Sequence, residues 1–182
     1  MLSNKLTLGT IALVLAAYPA VATAQTSGAD AAYIAKVSTA APAAVVKSAT
    51  IVQMQNDGSM RTIQSGTNGF TCMMIDPTTP MCADKYAMSW MQALLTHGTP
   101  PEGVGFVYML AGDDGASNTD PYAKGPTADN HWLKTGPHVM IVGTEAKSMG
   151  YPANADADAT TPYVMWSQTP YAHIMIPVSV SP

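Results

Sequence analysis

One amphipathic helix lies between two groups of strand-like segments, and this order constrains the fold more than any other feature of the chain. Residues 84–97 carry an apolar stripe at helical spacing, begin at the capping residue Asp84 and end before Gly98. About seven segments have the pattern of strands, and they are grouped rather than alternating with helices. This order predicts an α+β fold with a mostly antiparallel sheet of about seven strands and two or three helices.

The predicted strands are short and apolar, and most end at Gly, Pro or Asp. They are residues 51–55, 60–64, 69–74, 104–110, 137–142, 162–166 and 172–180. The first two flank Asp57-Gly58, a dipeptide that favours a tight β-hairpin because its turn needs a positive φ angle.

The N-terminal residues predict an export signal followed by an Ala-rich segment. Residues 1–24 combine the basic Lys5, an apolar stretch and a small-x-small cleavage site at 22–24, which is typical of a secretory signal peptide. Residues 25–50 are expected to be helical or mobile, and residues 51–182 to form a single α+β domain. We therefore expect a periplasmic or secreted protein.

The two cysteines, Cys72 and Cys82, are separated by a short segment rich in Pro and Thr. In an exported protein an even number of cysteines indicates a disulfide, and the spacing does not match a Cys-x-x-Cys redox motif. The sequence predicts a structural disulfide between Cys72 and Cys82.

Charge and hydropathy exclude two classes of partner. The chain has 12 acidic and 8 basic residues, a net charge of −4, and Arg61 is its only arginine. Nucleic-acid binding needs a basic stripe, so we expect no nucleic-acid partner. No apolar run reaches the length of a membrane span, so we expect a soluble protein. The low charge content leaves self-association open.

Three C-terminal strands share a short repeat, in residues 137–141, 162–166 and 172–176. In each, a His or Tyr is followed by a branched residue, a Met and a large apolar residue. Since side chains alternate along a strand, the His or Tyr shares one face with the Met, and the aliphatic residues share the other. We expect the aliphatic face to be core and the His/Tyr/Met face to be a second covered surface or a pocket wall.

This face, with a nearby loop histidine, predicts a metal site. If their strands are neighbours, the Cβ atoms of His138 and His173 lie about 5 Å apart, and His131 can approach from the loop. Three histidines suit Zn or Cu, and Met thioethers favour Cu(I). The alternative is that Met fills the core and each His only bonds a backbone carbonyl.

A long loop, residues 111–134, is rich in Gly, Asp and Asn. Its candidate ligand-binding residues are Asp113, Asp114, Asn118 and Asp120. Their oxygens can bind a cation, although the spacing is not that of an EF-hand. Alternatively they form turns by bonding their own backbone.

Several stretches resemble a family of exported bacterial proteins without an assigned activity. They are residues 69–73, 80–82, 108–110, 115–121 (Gly-Ala-Ser-Asn-Thr-Asp-Pro) and 169–175 (Thr-Pro-Tyr-Ala-His-Ile-Met). The resemblance implies a bacterial exported domain, and it implies no reaction, cofactor or ligand.

Three hypotheses of function follow. The first is an exported protein that binds a metal ion or small ligand at the His/Met face beside the Asp/Asn loop. The second is a hydrolase or isomerase that uses Asp114 or Asp120 with His131 as an acid/base pair. The third is a structural or interaction protein of the cell envelope, in which these His and Met residues are only core.

Overall fold

An eight-stranded sheet forms the centre of the computed structural model, which describes residues 27–179. The signal peptide predicted for residues 1–24 lies outside the described residues. The helices are α1 (Gly28–Val37), α2 (Ala43–Val46) and α3 (Lys85–Leu95), with 3-10 segments at Ser38–Ala40 and Thr144–Met149. The strands are β1 (Thr50–Met54), β2 (Met60–Gln64), β3 (Phe70–Met74), β4 (Pro80–Asp84), β5 (Val104–Met109), β6 (Ala116–Ser117), β7 (Trp132–Leu133), β8 (His138–Gly143), β9 (Tyr163–Met165) and β10 (His173–Pro177).

The strand order in the sheet is β2-β1-β3-β4-β5-β8-β10-β9. Every neighbouring pair is antiparallel except β1 and β3, which are parallel. Strands β6 and β7 form a separate two-stranded ribbon inside the long loop. The predicted α+β fold with a mostly antiparallel sheet is confirmed.

Strand β4 is an eighth strand that the sequence patterns did not predict. Cys72 of β3 lies directly opposite Cys82 of β4, with Cα atoms 4.0 Å apart, and the predicted disulfide is confirmed. β4 leads directly into α3, because Asp84 is both its last residue and the N-cap of the helix. The Asp84 carboxylate accepts hydrogen bonds from the backbone N–H of Ala87 at 2.7 Å and of Phe106 at 2.9 Å.

Helix α3 packs on one face of the sheet through its buried Ala87 and Trp90. Gly105 of β5 permits this close packing, since a Cβ at this position would lie 2.6 Å from the backbone nitrogen of Ala87. Helices α1 and α2 and the 3-10 turn between them pack on the opposite face, against Ile51 and the disulfide. The Ala-rich segment is thus helical from residue 28 to residue 46, apart from a short break.

Strands β8, β10 and β9 extend the sheet beyond α3. Their aliphatic face, with Val164 and Ile174, packs against Ala146 of the 3-10 segment. Their other face lies on the same side of the sheet as α3 and carries the His, Tyr and Met side chains of the repeat. Between residues 27 and 179, no helix has the length and apolar character needed to cross a membrane.

Candidate functional site

A cavity of about 180 Å³ opens on the α3 side of the sheet, over β5, β8, β10 and β9. Its walls contain two imidazoles, those of His138 and His173, and four thioethers. The four methionines are Met109, Met140, Met165 and Met175. We call this the His/Met cavity. The predicted His/Met face is therefore the wall of a pocket as well as part of the core.

Three cross-strand pairs bring these six side chains together. The pairs are Met109–His138, Met140–Met175 and His173–Met165. Because directly opposed residues have Cβ atoms about 5 Å apart, each imidazole has a thioether directly beside it on one neighbouring strand.

The two imidazoles are not adjacent, which corrects one expectation. Strands β8 and β10 are neighbours, but His138 lies opposite Pro177 and His173 lies opposite Val142. This offset of four residues separates the two histidines by about 13 Å along the strands. The Met140–Met175 pair lies between them, so each half of the cavity has one imidazole and its own thioethers.

His138 has a buried ring nitrogen without a hydrogen-bond partner. The side chain is fully buried, and Nδ1–H donates to the carbonyl of Gly136 at 2.7 Å. Because a carbonyl only accepts, Nδ1 carries the proton and Nε2 keeps a lone pair, for which residues 27–179 provide no partner. Burial lowers the pKa of His138, so the ring is neutral at pH 7.

His173 has the same kind of Nδ1–carbonyl hydrogen bond in the other half of the cavity. It is 2% exposed, and its Nδ1–H donates to the carbonyl of Tyr171 at 3.0 Å. Burial lowers the pKa of His173 to about 4. Both histidines therefore present a neutral Nε2, and both have the Nδ1–carbonyl bond that commonly orients a metal-ligating histidine.

Trp166 is held against His173 by the long loop. Its backbone N–H donates to Asn118 at 2.9 Å, and its indole Nε1–H donates to the carbonyl of Ser117 at 2.7 Å. Its φ of 54° is unfavourable for a bulky residue, and such strain persists only where surrounding contacts hold it. The indole ring lies at the edge of the His173 ring, with centroids 4.8 Å apart.

Among the described residues, all charged side chains that line the cavity are acidic. Asp76 and Asp114 are exposed, whereas Asp113 is partly buried beside His138. Asp113 accepts hydrogen bonds from the backbone N–H groups of Gly115 and Thr135, each at 3.0 Å. Burial raises the pKa of Asp113, opposed by these hydrogen bonds and by His138. The resulting field favours a cation over an anion.

The predicted loop residues divide into two groups. Asp113 and Asp114 line the His/Met cavity, but Asn118 and Asp120 do not. Asn118 is buried and donates to the carbonyls of Asn154 and Ala155. Asp120 forms a turn by accepting from the backbone N–H of Tyr122. These two residues order the loop, as the turn alternative expects.

His131 lies outside the cavity and bonds Asp156 through Nδ1 at 2.6 Å. The second hypothesis paired Asp114 or Asp120 with His131, but Asp114 contacts Thr78 and Lys134, and Asp120 accepts from the backbone N–H of Tyr122. Across residues 27–179, no three His, Cys, Asp or Glu side chains are grouped closely enough to hold a metal ion. A site built on His131, His138 and His173 together is therefore absent from the described chain.

Met109 and Trp166 are among the cavity residues that had no sequence signal of a site. Met109 lies at the end of an all-apolar strand, which predicts only a central position in the sheet. Trp166 ends the second copy of the strand repeat, and only the loop contacts show that it faces His173. Met140, Met165 and Met175 did have a sequence signal, since each lies two residues after the His or Tyr of its repeat.

Comparisons with protein-family models, with curated proteins and with solved structures give no match to this chain. The resemblance to exported bacterial proteins thus stays a prediction. The function has to be inferred from the chemistry of the His/Met cavity.

Proposed function

We propose that this protein binds Cu(I) in the His/Met cavity, through Nε2 of His173 and the thioethers of Met165 and Met175. The observation that carries the proposal is a neutral, buried imidazole, oriented by a carbonyl, with the Met165 thioether directly opposite it and Met175 two residues along its own strand. Thioether sulfur is a soft ligand that selects Cu(I), and imidazole nitrogen also binds copper. The carbonyl bond fixes which nitrogen of His173 is available to the ion.

The surroundings of this site offset the cost of burying a cation. An isolated buried charge is strongly unfavourable unless it is paired. Asp113 provides a partly buried carboxyl group at the His138 end of the same cavity, and no Lys or Arg of residues 27–179 lines the cavity. The Trp166 ring beside His173 adds a π-system that attracts cations at short range.

The ligand types favour Cu(I) over Zn²⁺. Zinc sites take Cys thiolates, histidines and carboxylates, usually four in number, and no group of three such side chains occurs in the described chain. Both cysteines are in the disulfide. In an oxidising compartment thiols form disulfides, whereas thioethers do not, so Met is the soft ligand that remains available there.

A small primary ammonium ion is a second candidate ligand, favoured by the unpartnered Nε2 of His138 beside Asp113. An ammonium group would donate to Nε2 and pair with the carboxylate. The His/Met cavity has a volume of about 180 Å³. A cavity of about 150 Å³ can hold benzene, so an ammonium ligand of this site has to be about that small.

A titration with Cu(I) tests the proposal. Untagged protein is titrated without oxygen against a chromophoric Cu(I) chelator, and tryptophan fluorescence is followed. We expect one tightly bound equivalent and quenching of Trp166 fluorescence. His173→Leu and the double variant Met165→Leu/Met175→Leu should each weaken binding at least tenfold.

The matched controls are His131→Asn and Met149→Leu, which change an imidazole and an exposed thioether outside the cavity. Both should bind Cu(I) as the unchanged protein does. Absence of a tight equivalent, or unchanged binding in the His173 and Met165/Met175 variants, would refute the copper site. If ethylamine instead raises the melting temperature and His138→Leu abolishes that effect, the ammonium candidate replaces it.

A further inference from the structure

A second cavity, of about 110 Å³, lies between α3 and the hairpin formed by β1 and β2, and it is lined mainly by methionines. These are Met54, Met60, Met73, Met88 and Met91. We call this group the outer methionine cluster. None of its members lines the His/Met cavity.

Four elements, β1, β2, β3 and α3, bring the five thioethers together. Met54 of β1 and Met60 of β2 are directly opposed in the hairpin, and Met73 lies on β3, next to β1. Met88 and Met91 are three residues apart on α3, so they lie on one face of the helix.

The cluster is open to solvent on one side. Met54 and Met60 are each 45% exposed, and Met73 is 1% exposed at the inner end. Exposing unbranched apolar side chains on a hairpin has no benefit for folding, because burial is what makes an apolar side chain stabilising. What distinguishes this pair from ordinary exposed apolar residues is that both thioethers line one cavity together with three others.

We propose that the outer methionine cluster is a second, solvent-facing site for Cu(I), with thioethers as its only metal ligands. Gln92 is the one polar side chain among the residues that line this cavity, so a hard cation would find a single amide oxygen there. Soft thioether ligands without carboxylates or imidazoles select Cu(I) and the chemically similar Ag(I).

The two cavities are neighbours, because Ile75 lines both. A site that is half exposed exchanges its ion with solvent more readily than a buried one. The outer methionine cluster would thus take up the ion first, and the His/Met cavity would hold it. This loading role rests on the proposed function, whereas binding at the outer methionine cluster does not.

Titration with Ag(I), which has no competing redox chemistry, tests the second site. The full chain carrying ¹³C-methyl methionine is followed by NMR, with silver bound per protein measured after dialysis against a weak thioether competitor. We expect two equivalents, with the methyl signals of Met54 and Met60 shifting in fast exchange. The triple variant Met54→Leu/Met60→Leu/Met88→Leu should retain one equivalent.

Leucine keeps the volume of methionine and removes the sulfur, and Met149→Leu controls for loss of an exposed thioether elsewhere. Two equivalents in the triple variant, or unmoved Met54 and Met60 methyl signals in the unchanged protein, would overturn the outer site. The variant His173→Leu/Met165→Leu/Met175→Leu separates the two proposals. It should lose one equivalent and keep the Met54 and Met60 shifts. If, in the unchanged protein, Ag(I) shifts Met54 and Met60 while the methyl signals of Met165 and Met175 do not respond, the outer site stands and the proposed function fails.

Discussion

The two halves of the sheet are covered in different ways. Strands β1, β3, β4 and β5 lie between helices, with α1 and α2 on one face and α3 on the other. The α3-side face of β8, β10 and β9 is covered by loops, through Ala116, Leu133, Ala157 and Ala159. We refer to these as the helix-covered half and the loop-covered half.

The difference shows how a site arises within a packed protein. Helices bring regular apolar stripes that fill the space above a sheet. Loops bring carboxylates and backbone groups, and above β8 and β10 they leave a cavity. Three buried polar atoms of the described residues lack partners, Nε1 of Trp90, Oδ1 of Asn118 and Nε2 of His138, and all three lie in the loop-covered half or against it.

The largest expected difference between the two halves is in the free energy of unfolding that is lost when a buried side chain of each is replaced by alanine. Ile51 is fully buried under α1 and α2, and Met175 is buried but lines the His/Met cavity. We expect Ile51→Ala to lower the free energy of unfolding by about 3–5 kcal/mol, and Met175→Ala by about 2 kcal/mol, because a side chain beside a void loses fewer contacts. Urea denaturation of the metal-free protein measures both, and equal losses would contradict the comparison.

The helix-covered half was largely predictable from sequence because its signals are local. The Asp57-Gly58 turn, the cap at Asp84 and the stripe of α3 each specify nearby structure. Strand β4 was not predicted, because its first four residues are buried on both faces and its last residue is a helix cap. A short apolar segment of this kind has no period to detect.

The candidate site was predictable only in part. Alternation placed His138 and His173 on the Met face, but their offset depends on the register of β8 against β10, which no local pattern specifies. His131 was assigned to the site because it is near in sequence, yet its loop directs it towards Asp156. The position of Trp166 depends on contacts with residues almost 50 positions away.

Acid should destabilise the protein through the loop-covered half. The pKa of His173 falls from 6.5 to about 4 on folding, so between these pH values the unfolded state binds more protons. The stability that neutral His173 contributes is complete above pH 6.5 and is lost as the pH falls towards 4. The loss from this residue is about 3 kcal/mol. His138 shifts in the same direction, while the raised pKa of Asp113 acts in the opposite direction.

Comparison with His173→Leu isolates this contribution, because His138 and Asp113 remain in both proteins. Urea denaturation is measured from pH 7.5 to pH 4 without metal. We expect the difference in unfolding free energy between the two proteins to change steadily with pH below 6.5. A difference that is constant across this range would show that His173 is not held neutral by burial.

The smallest effect should come from His138, although it is as buried as any core residue. His138→Leu removes the unpartnered Nε2 and fills a similar volume, and the exposed Gly136 carbonyl that it releases can bond water. We expect His138→Leu to change the free energy of unfolding by no more than about 1 kcal/mol, and to raise it if the cost of the unpaired nitrogen dominates. His173→Leu leaves the carbonyl of the buried Tyr171 unpaired. It should therefore lower the free energy of unfolding by about 1–3 kcal/mol at pH 7.5. If His138→Leu is the more destabilising of the two, Nε2 of His138 has a partner in the folded protein, and the loop-covered half is satisfied in the same way as the helix-covered half.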